Sequence, residues 1–494
     1  ILGEVDSDAV PLTFENDYDD PQNPLPNPGT RISRDRVQGS ITSEFAGGYA
    51  IEVIGGYSDE SGETQLDRDT FDLSGMGTRH VGSTPEATEK YAEVRLTSPA
   101  NDRFAWLIGA SVYDYDYSNT VYSNVTEGTI MGLFSEGAKN VGVFFNLGYE
   151  LTDRIDLSFE GRFQRDEISS LYPANPQRNA PTALTDEQTT ESFQPRLSVT
   201  YEITPNINIY GQIARGNNPA GFNTVLLDPI LNQTADAESF NLESFVAFDE
   251  ETVWNYEIGT KGRALGGDLG FAVALYYLDL EGFVQPVTLN WTPADGILLP
   301  GVADSDYFQR TFLNAGDFGG FGIEAEASWR VTDHLILSGS AAASEVDFDE
   351  DACSPIPIDY GVPAEQTDPF ECVSIAGARQ PMVSPYTTSL AADYSFPVTV
   401  DFQGYLRVDH SWRSKRYVEV TNTDYIADYH TVNLRVGIRN DSFKVEAFAT
   451  NLFDDDTPSG AVRYFDGRLP GMSFNTTFQR RRPSQIGISL SYDF

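Results

Sequence analysis

An alternation of oily and wet residues with a period of two recurs from one end of this chain to the other, and it leaves few folds open. The last stretch shows it unbroken, with Ile486, Ile488, Leu490, Tyr492 and Phe494 on one side and Gly487, Ser489, Ser491 and Asp493 on the other. Such a period places successive side chains on opposite faces of a strand. The same pattern sets Ile155, Leu157, Phe159 and Phe163 against Asp156, Ser158, Glu160 and Arg162, and Val432, Leu434, Val436 and Ile438 against Asn433, Arg435 and Arg439. A further copy sets Leu269, Phe271, Val273, Leu275 and Tyr277 against Gly270, Ala272, Ala274 and Tyr276. A wet face that carries arginine cannot be the inside of a β-sandwich. It fits a water-filled interior, with the oily face turned to lipid.

The longest uninterrupted apolar run, Phe271 to Leu278, is far short of the ~18 residues a spanning helix requires. No helical period of any length appears. Short turns fall near Gly47-Gly48, Pro99 to Asn101, Thr152-Asp153, Pro205-Asn206, Gly266-Gly267, Thr332-Asp333, Pro397 and Asn440-Asp441, mostly roughly 50 to 65 residues apart. Between them lie longer polar connections at 60–85, 119–136, 170–188, 218–249, 286–309, 349–376, 417–425 and 453–482. Short turns on one side and long loops on the other are the asymmetry of an outer-membrane barrel. About 17 alternating segments can be placed, at 32–46, 48–60, 86–98, 102–118, 137–151, 153–169, 189–203, 205–217, 250–265, 267–285, 307–331, 333–348, 378–396, 398–416, 426–440, 441–452 and 483–494. Bacterial single-chain barrels close with an even strand number, so this count predicts that an odd number of strands precedes residue 1.

Composition removes other classes. With 32 Lys and Arg against 74 Asp and Glu the formal charge is −42, which excludes a basic nucleic-acid footprint. The 25 Tyr, 31 Phe and 5 Trp supply enough buriable surface to argue against disorder. Cys353 and Cys372 share one polar, Pro-rich segment and read as a disulfide stapling a loop, which implies an oxidising compartment such as the periplasm or cell surface. Two unpaired thiols close in sequence are the alternative. The four histidines, His80, His334, His410 and His430, stand singly, and no nucleophile, metal or phosphate-loop spacing is present, so the chain is not read as an enzyme. Acidic clusters at Asp17 to Asp20, Asp349 to Asp351 and Asp454 to Asp456 offer oxygen to surface calcium but lack an EF-hand frame; solvated loop charge and no resident cofactor is the reading. Tyr113, Tyr149, Tyr201, Trp329, Tyr394 and Trp412 lie near strand ends, where an interfacial aromatic girdle belongs.

Five segments carry a family resemblance: YGQIARGNNPAGFN (Tyr210 to Asn223), ETVWNYEIGTKGRALGGDLGFAVALYYLDLEGF (Glu251 to Phe283), NAGDFGGFGIEAEASWRVTDHL (Asn314 to Leu335), TNLFDDD (Thr450 to Asp456) and RRPSQIGISLSYDF (Arg481 to Phe494). In this order they resemble the barrel-forming part of TonB-dependent outer-membrane receptors, and the similarity extends through EVRLTSPANDRFAWLIGASVY (Glu93 to Tyr113), over nearly all of residues 1–494. The resemblance implies an all-β, antiparallel transmembrane β-barrel of 22 strands, plugged by an N-terminal domain that contacts TonB. Nothing in residues 1–30 resembles that plug, so the expectation is an N-terminally incomplete barrel. It further implies outer-membrane uptake of a scarce large solute, a ferric siderophore in the first instance, with a passive porin-type channel or a surface-structural adhesin as the alternatives. Expected partners are outer-membrane lipid and lipopolysaccharide, a small-molecule metal chelate, the TonB complex through the missing region, and the barrel-assembly machinery. That machinery would read the C-terminal signal Ile486, Ile488, Leu490, Tyr492 and Phe494. Solute contacts are expected at loop bases: Arg215, Asn217, Asn218 and Phe222 from one, Trp291 and Tyr307 from another, and Arg463, Tyr464, Arg468 and Arg480 from the last, where aromatics with arginine suit a chelate or an anion.

Overall fold

The computed structural model describes residues 29–45, 47–67, 80–99, 103–123, 129–174, 183–227, 242–291, 307–354, 373–466 and 473–492. Its organising element is one antiparallel sheet of 17 strands. In chain order these are β1 (Gly29–Phe45), β2 (Tyr49–Asp67), β3 (His80–Thr97), β4 (Phe104–Ser123), β5 (Thr129–Thr152), β6 (Ile155–Tyr172), β7 (Leu184–Thr204), β8 (Ile207–Asn218) and β9 (Glu251–Ala264). There follow β10 (Leu269–Glu281), β11 (Phe318–Thr332), β12 (Leu335–Phe348), β13 (Tyr386–Pro397), β14 (Gln403–Arg413), β15 (Tyr429–Arg439), β16 (Phe443–Thr450) and β17 (Gln485–Tyr492). Each strand pairs with the next in sequence. Every alternating segment read from the sequence overlaps one of them, though 378–396 begins ahead of β13, which starts at Tyr386.

The short turns are made by local side-chain capping. Thr152, Thr204, Thr332 and Thr399 each accept, through the hydroxyl, the backbone N–H two residues on, from Arg154 at 3.2 Å, Asn206 at 3.4 Å, His334 at 3.2 Å and Asp401 at 3.3 Å. The Asn440 carboxamide oxygen does the same for Ser442 and Phe443, at 3.1 and 2.7 Å.

The long connections differ from the polar loops expected. Five of them fold into ribbons of their own: Gly221–Phe222 with Ala247–Phe248, Val284–Trp291 with Tyr307–Asn314, Cys353–Ser354 with Val373–Ser374, Arg416–Tyr417 with Tyr425–Ile426, and Gly460–Asp466 with Ser473–Gln479. The expected segments 267–285 and 307–331 therefore overrun their strands, because the chain leaves the sheet between Glu281 and Phe318 to form the second ribbon. Two glycines make that departure. Gly282 (φ +70°) and Gly316 (φ +114°) adopt left-handed backbone, and a Cβ would lie 2.9 Å from the Glu250 carbonyl oxygen at the first and 2.7 Å from Ala352 Cα at the second.

The two faces of the sheet live in different solvents. Val143, Phe163, Leu197, Ile258, Leu275, Leu390, Val436, Ile486, Ile488 and Leu490 are large, apolar and exposed, all on the oily face that alternation predicts. A dry core exists elsewhere, at the bases of the long connections. Ala315, Phe318, Phe348, Ala352, Ile375 and Val420 are buried together, with Leu280, Phe283, Val346 and Ala378 packed against them. The Phe283, Phe318 and Phe348 rings meet at centroid distances of 5.0, 5.6 and 5.8 Å, tilted or edge-on as ring quadrupoles prefer. This core joins the connections that follow β10, β12 and β14 into one plate at the long-loop side.

Candidate functional site at the loop bases

The wet face is cross-linked strand to strand. Glu93 on β3 accepts from Tyr91 and Arg95, and Arg95 also stands 3.6 Å from Glu52 on β2. Arg162 on β6 donates to Asn140 at 2.7 Å, Ser111 at 3.1 Å and Gln164 at 2.8 Å, while Asn140 and Gln164 both donate to Asp166. Charges shared among several hydrogen-bonding partners hold a polar wall rigid. Tyr91, Glu93, Ser111, Tyr113, Asn140 and Arg162 line a cavity of about 260 Å³ in it. Further round, Arg407 bridges Asp393 and Asp409, both at 2.7 Å, and Glu446 accepts from Tyr405 at 2.7 Å and pairs with Lys444 at 2.9 Å.

Tyr113 corrects the girdle assignment. It shares the face of Ser111, and its ring stacks on Tyr115 at 6.5 Å, which stacks on Tyr117 at 6.4 Å, with interplanar angles of 9° and 10°. The three rings form a ladder up the wet wall. Tyr149, Tyr201, Trp329 and Tyr394 are exposed, as a girdle requires. A second correction concerns histidines. His410 and His430, expected singly, lie on adjacent strands with Nε2 and Nδ1 3.1 Å apart, and the Trp412 ring stacks beside His430. Alternation with Val408 and Val432 puts them on the oily face.

The expected contact residues separate into groups. Asn217 donates to Glu250 at 3.3 Å and accepts from Ser192 and Gln194, while Asn218 hydrogen-bonds Glu251, so amides and carboxylates clamp the base of that connection. Arg215 stands across from Trp254 and donates to the Phe193 carbonyl at 3.0 Å. Phe222 pairs with Ala247 in the first ribbon, and Trp291 with Tyr307 closes the second. Arg463 and Tyr464 lie on the last ribbon opposite Thr476 and Asn475. Side chains of Trp291, Tyr307, Arg463 and Tyr464 lie outside the described residues, as do Arg468 and Phe494 entirely. Arg480 is described and exposed. The staple expectation also falls there: Cys353 pairs through its backbone with Ser374, but Cys372 is outside the described residues. Asp454 and Asp455 cap backbone, accepting from the amides of Ser484 at 2.6 Å, and of His430 and Thr457 at 3.2 and 2.9 Å. Among the described residues no group of three or more His, Cys, Asp or Glu could hold a metal ion.

One constellation escaped the sequence reading. Arg481, next to the Arg480 expected at this loop base, lays its guanidinium 3.7 Å from the centre of the Tyr429 ring, and Arg416 approaches the same ring at 5.7 Å. The signal was present. Continuing the alternation of β17 backward puts Arg481 with Gly487 and Ser489 on the wet side, and Arg480 with Ile486 on the oily one.

Comparison with known proteins follows from this geometry. A family model described as the TonB dependent receptor-like β-barrel matches residues 3–452. A pesticin receptor of Yersinia enterocolitica is 25% identical over 215 residues, covering 43% of this chain and 27% of that protein. Among solved structures, the ferric yersiniabactin uptake receptor FyuA from Yersinia pestis superposes with a TM-score of 0.71 at 17% identity, over 94% of this chain and 62% of that one. The siderophore receptor PiuA from Acinetobacter baumannii gives 0.67 at 14%, over 94% and 64%. The chain thus spans less than two thirds of each relative.

Proposed function

The chain belongs to the family of TonB-dependent receptor-like β-barrels, and from that premise we propose that it forms the wall and the outer mouth of a receptor that takes up a ferric siderophore. Members of the family stand in the outer membrane of Gram-negative bacteria, and the oily face supplies the lipid contact such a position requires. The long connections capture the solute, and the wet wall leads it inward. Energy comes from TonB acting through a plug domain; no bond of the solute is made or broken by this chain. The observation that carries the reading is the family match over residues 3–452, supported by superposition on a receptor described as taking up ferric yersiniabactin. A rigid wall of shared carboxylates and guanidiniums suits a passage that must admit a polar chelate without changing shape.

Uptake of iron-55 from ferric siderophores by iron-starved cells is the test. Deleting the gene should abolish uptake of one chelate class, and deleting tonB should do the same. Uptake that persists without TonB would point instead to a passive channel.

A further inference from the structure

Arg416 is 5% exposed and Tyr429 9% exposed, and Arg481 lies half-buried against them. Arg416 donates Nη2 to the Ser459 carbonyl at 2.7 Å, and its Nη1 is buried with no partner among the described residues. Arg481 donates Nε to the Thr457 carbonyl at 3.0 Å and Nη1 to Thr431 at 3.4 Å, and its Nη2 is likewise buried with no partner among the described residues. Three described acids of the adjoining connections are engaged with other groups. Glu419 accepts from the amides and hydroxyls of Thr421 and Thr423 and from the Asp424 amide; Asp455 caps His430 and Thr457; Asp424 accepts from Thr476 at 2.5 Å.

A buried guanidinium without a counter-anion is costly, and arginine cannot escape the cost by losing its proton. Cation–π contact and hydrogen bonding with Tyr429 offset part of it, while Arg416 Nη1 and Arg481 Nη2 keep no partner among the described residues. The pocket is therefore cationic in a chain of net charge −42. We propose that Arg416 and Arg481, braced on Tyr429, form an oxyanion site at the mouth that takes a carboxylate or phosphate group. Two guanidiniums offering separate N–H groups match the several oxygens of such a group. Thr431 lies on the wet face, so the stack stands on the lumen side and not against lipid. Its existence does not depend on the transport reading; assigning its occupant to the captured solute does.

Isothermal titration of the receptor purified whole from outer membranes in detergent, at fixed ionic strength, tests the site with sodium phosphate and sodium citrate as probes. Saturable binding of either is expected, weakened about tenfold or more by Arg416→Gln and by Arg481→Gln, and unchanged by Arg103→Gln, an exposed arginine on the short-turn side. Tyr429→Phe, which keeps the ring and the stack, should weaken it less. Heat-modifiable gel migration checks that each variant is folded, and Arg416→Lys, with charge kept and the fork lost, should also bind more weakly than wild type. Citrate that displaces phosphate and is itself displaced by the transported chelate assigns the site to a solute carboxylate; phosphate bound alone assigns it to a free anion. No saturable binding of either probe, or equal binding in both glutamine variants, would overturn the site while leaving the uptake test untouched.

Discussion

Single residues in this sheet are chosen as much for what they lack as for what they carry. Gly109, Gly259, Gly322 and Gly437 each lie directly opposite an aromatic residue, Phe144, Tyr210, Tyr276 and Tyr405, whose ring occupies the space a Cβ would need. At Gly437 the backbone oxygen of Val445 closes the other side. Gly437→Ala should therefore destabilise the sheet by about 1–3 kcal/mol, read as a lower temperature for loss of the heat-resistant gel form, whereas Gly39→Ala, which meets nothing within 4 Å, should not. The ring-over-glycine pairs could be suspected in the sequence but not placed, because they need the cross-strand register. Arg481 teaches the complementary lesson. Its side was legible from alternation alone, but its value came from Arg416, 65 residues away in sequence and delivered by a ribbon that no periodicity announced.

Strands were the most readable elements, since one face must satisfy lipid and the other water, and a slip of one residue would exchange them. Ribbons were the least readable. Val284–Trp291 has the composition of a strand and is one, but it pairs with Tyr307–Asn314 instead of extending β10, and only the turn at Gly282 marks the change. Facing is testable at the level of one element. On β10, Val273 points to the oily side and its neighbour Ala274 to the wet side, opposite Glu324. Val273→Arg should cost about 2–4 kcal/mol of folding free energy in lipid bilayers, measured by urea titration, and Ala274→Arg, with Glu324 as partner, should cost much less. Equal costs would mean that the faces have been assigned wrongly.

For the whole molecule, the asymmetry between capped short turns and folded long connections sets a direction across the membrane. An epitope inserted beside Glu350, in the connection that follows β12, should bind antibody on intact cells, and the same epitope in the Asn440 to Ser442 turn should bind only after permeabilisation. The reverse pattern would invert the molecule and with it the capture role of the mouth. Most of the wall was legible because a repeated local rule produces it; the mouth was not, because its contacts join segments far apart in sequence. The phenylalanine plate beneath the connections after β10, β12 and β14 makes that mouth more than a fringe of the wall. Its shape is held by contacts among its own pieces and the ends of β10, β11 and β12. Such a mouth is a keyed module: the connections above the plate can vary, while Phe318, Phe348, Leu280 and Val346 tie whatever stands there to the wall.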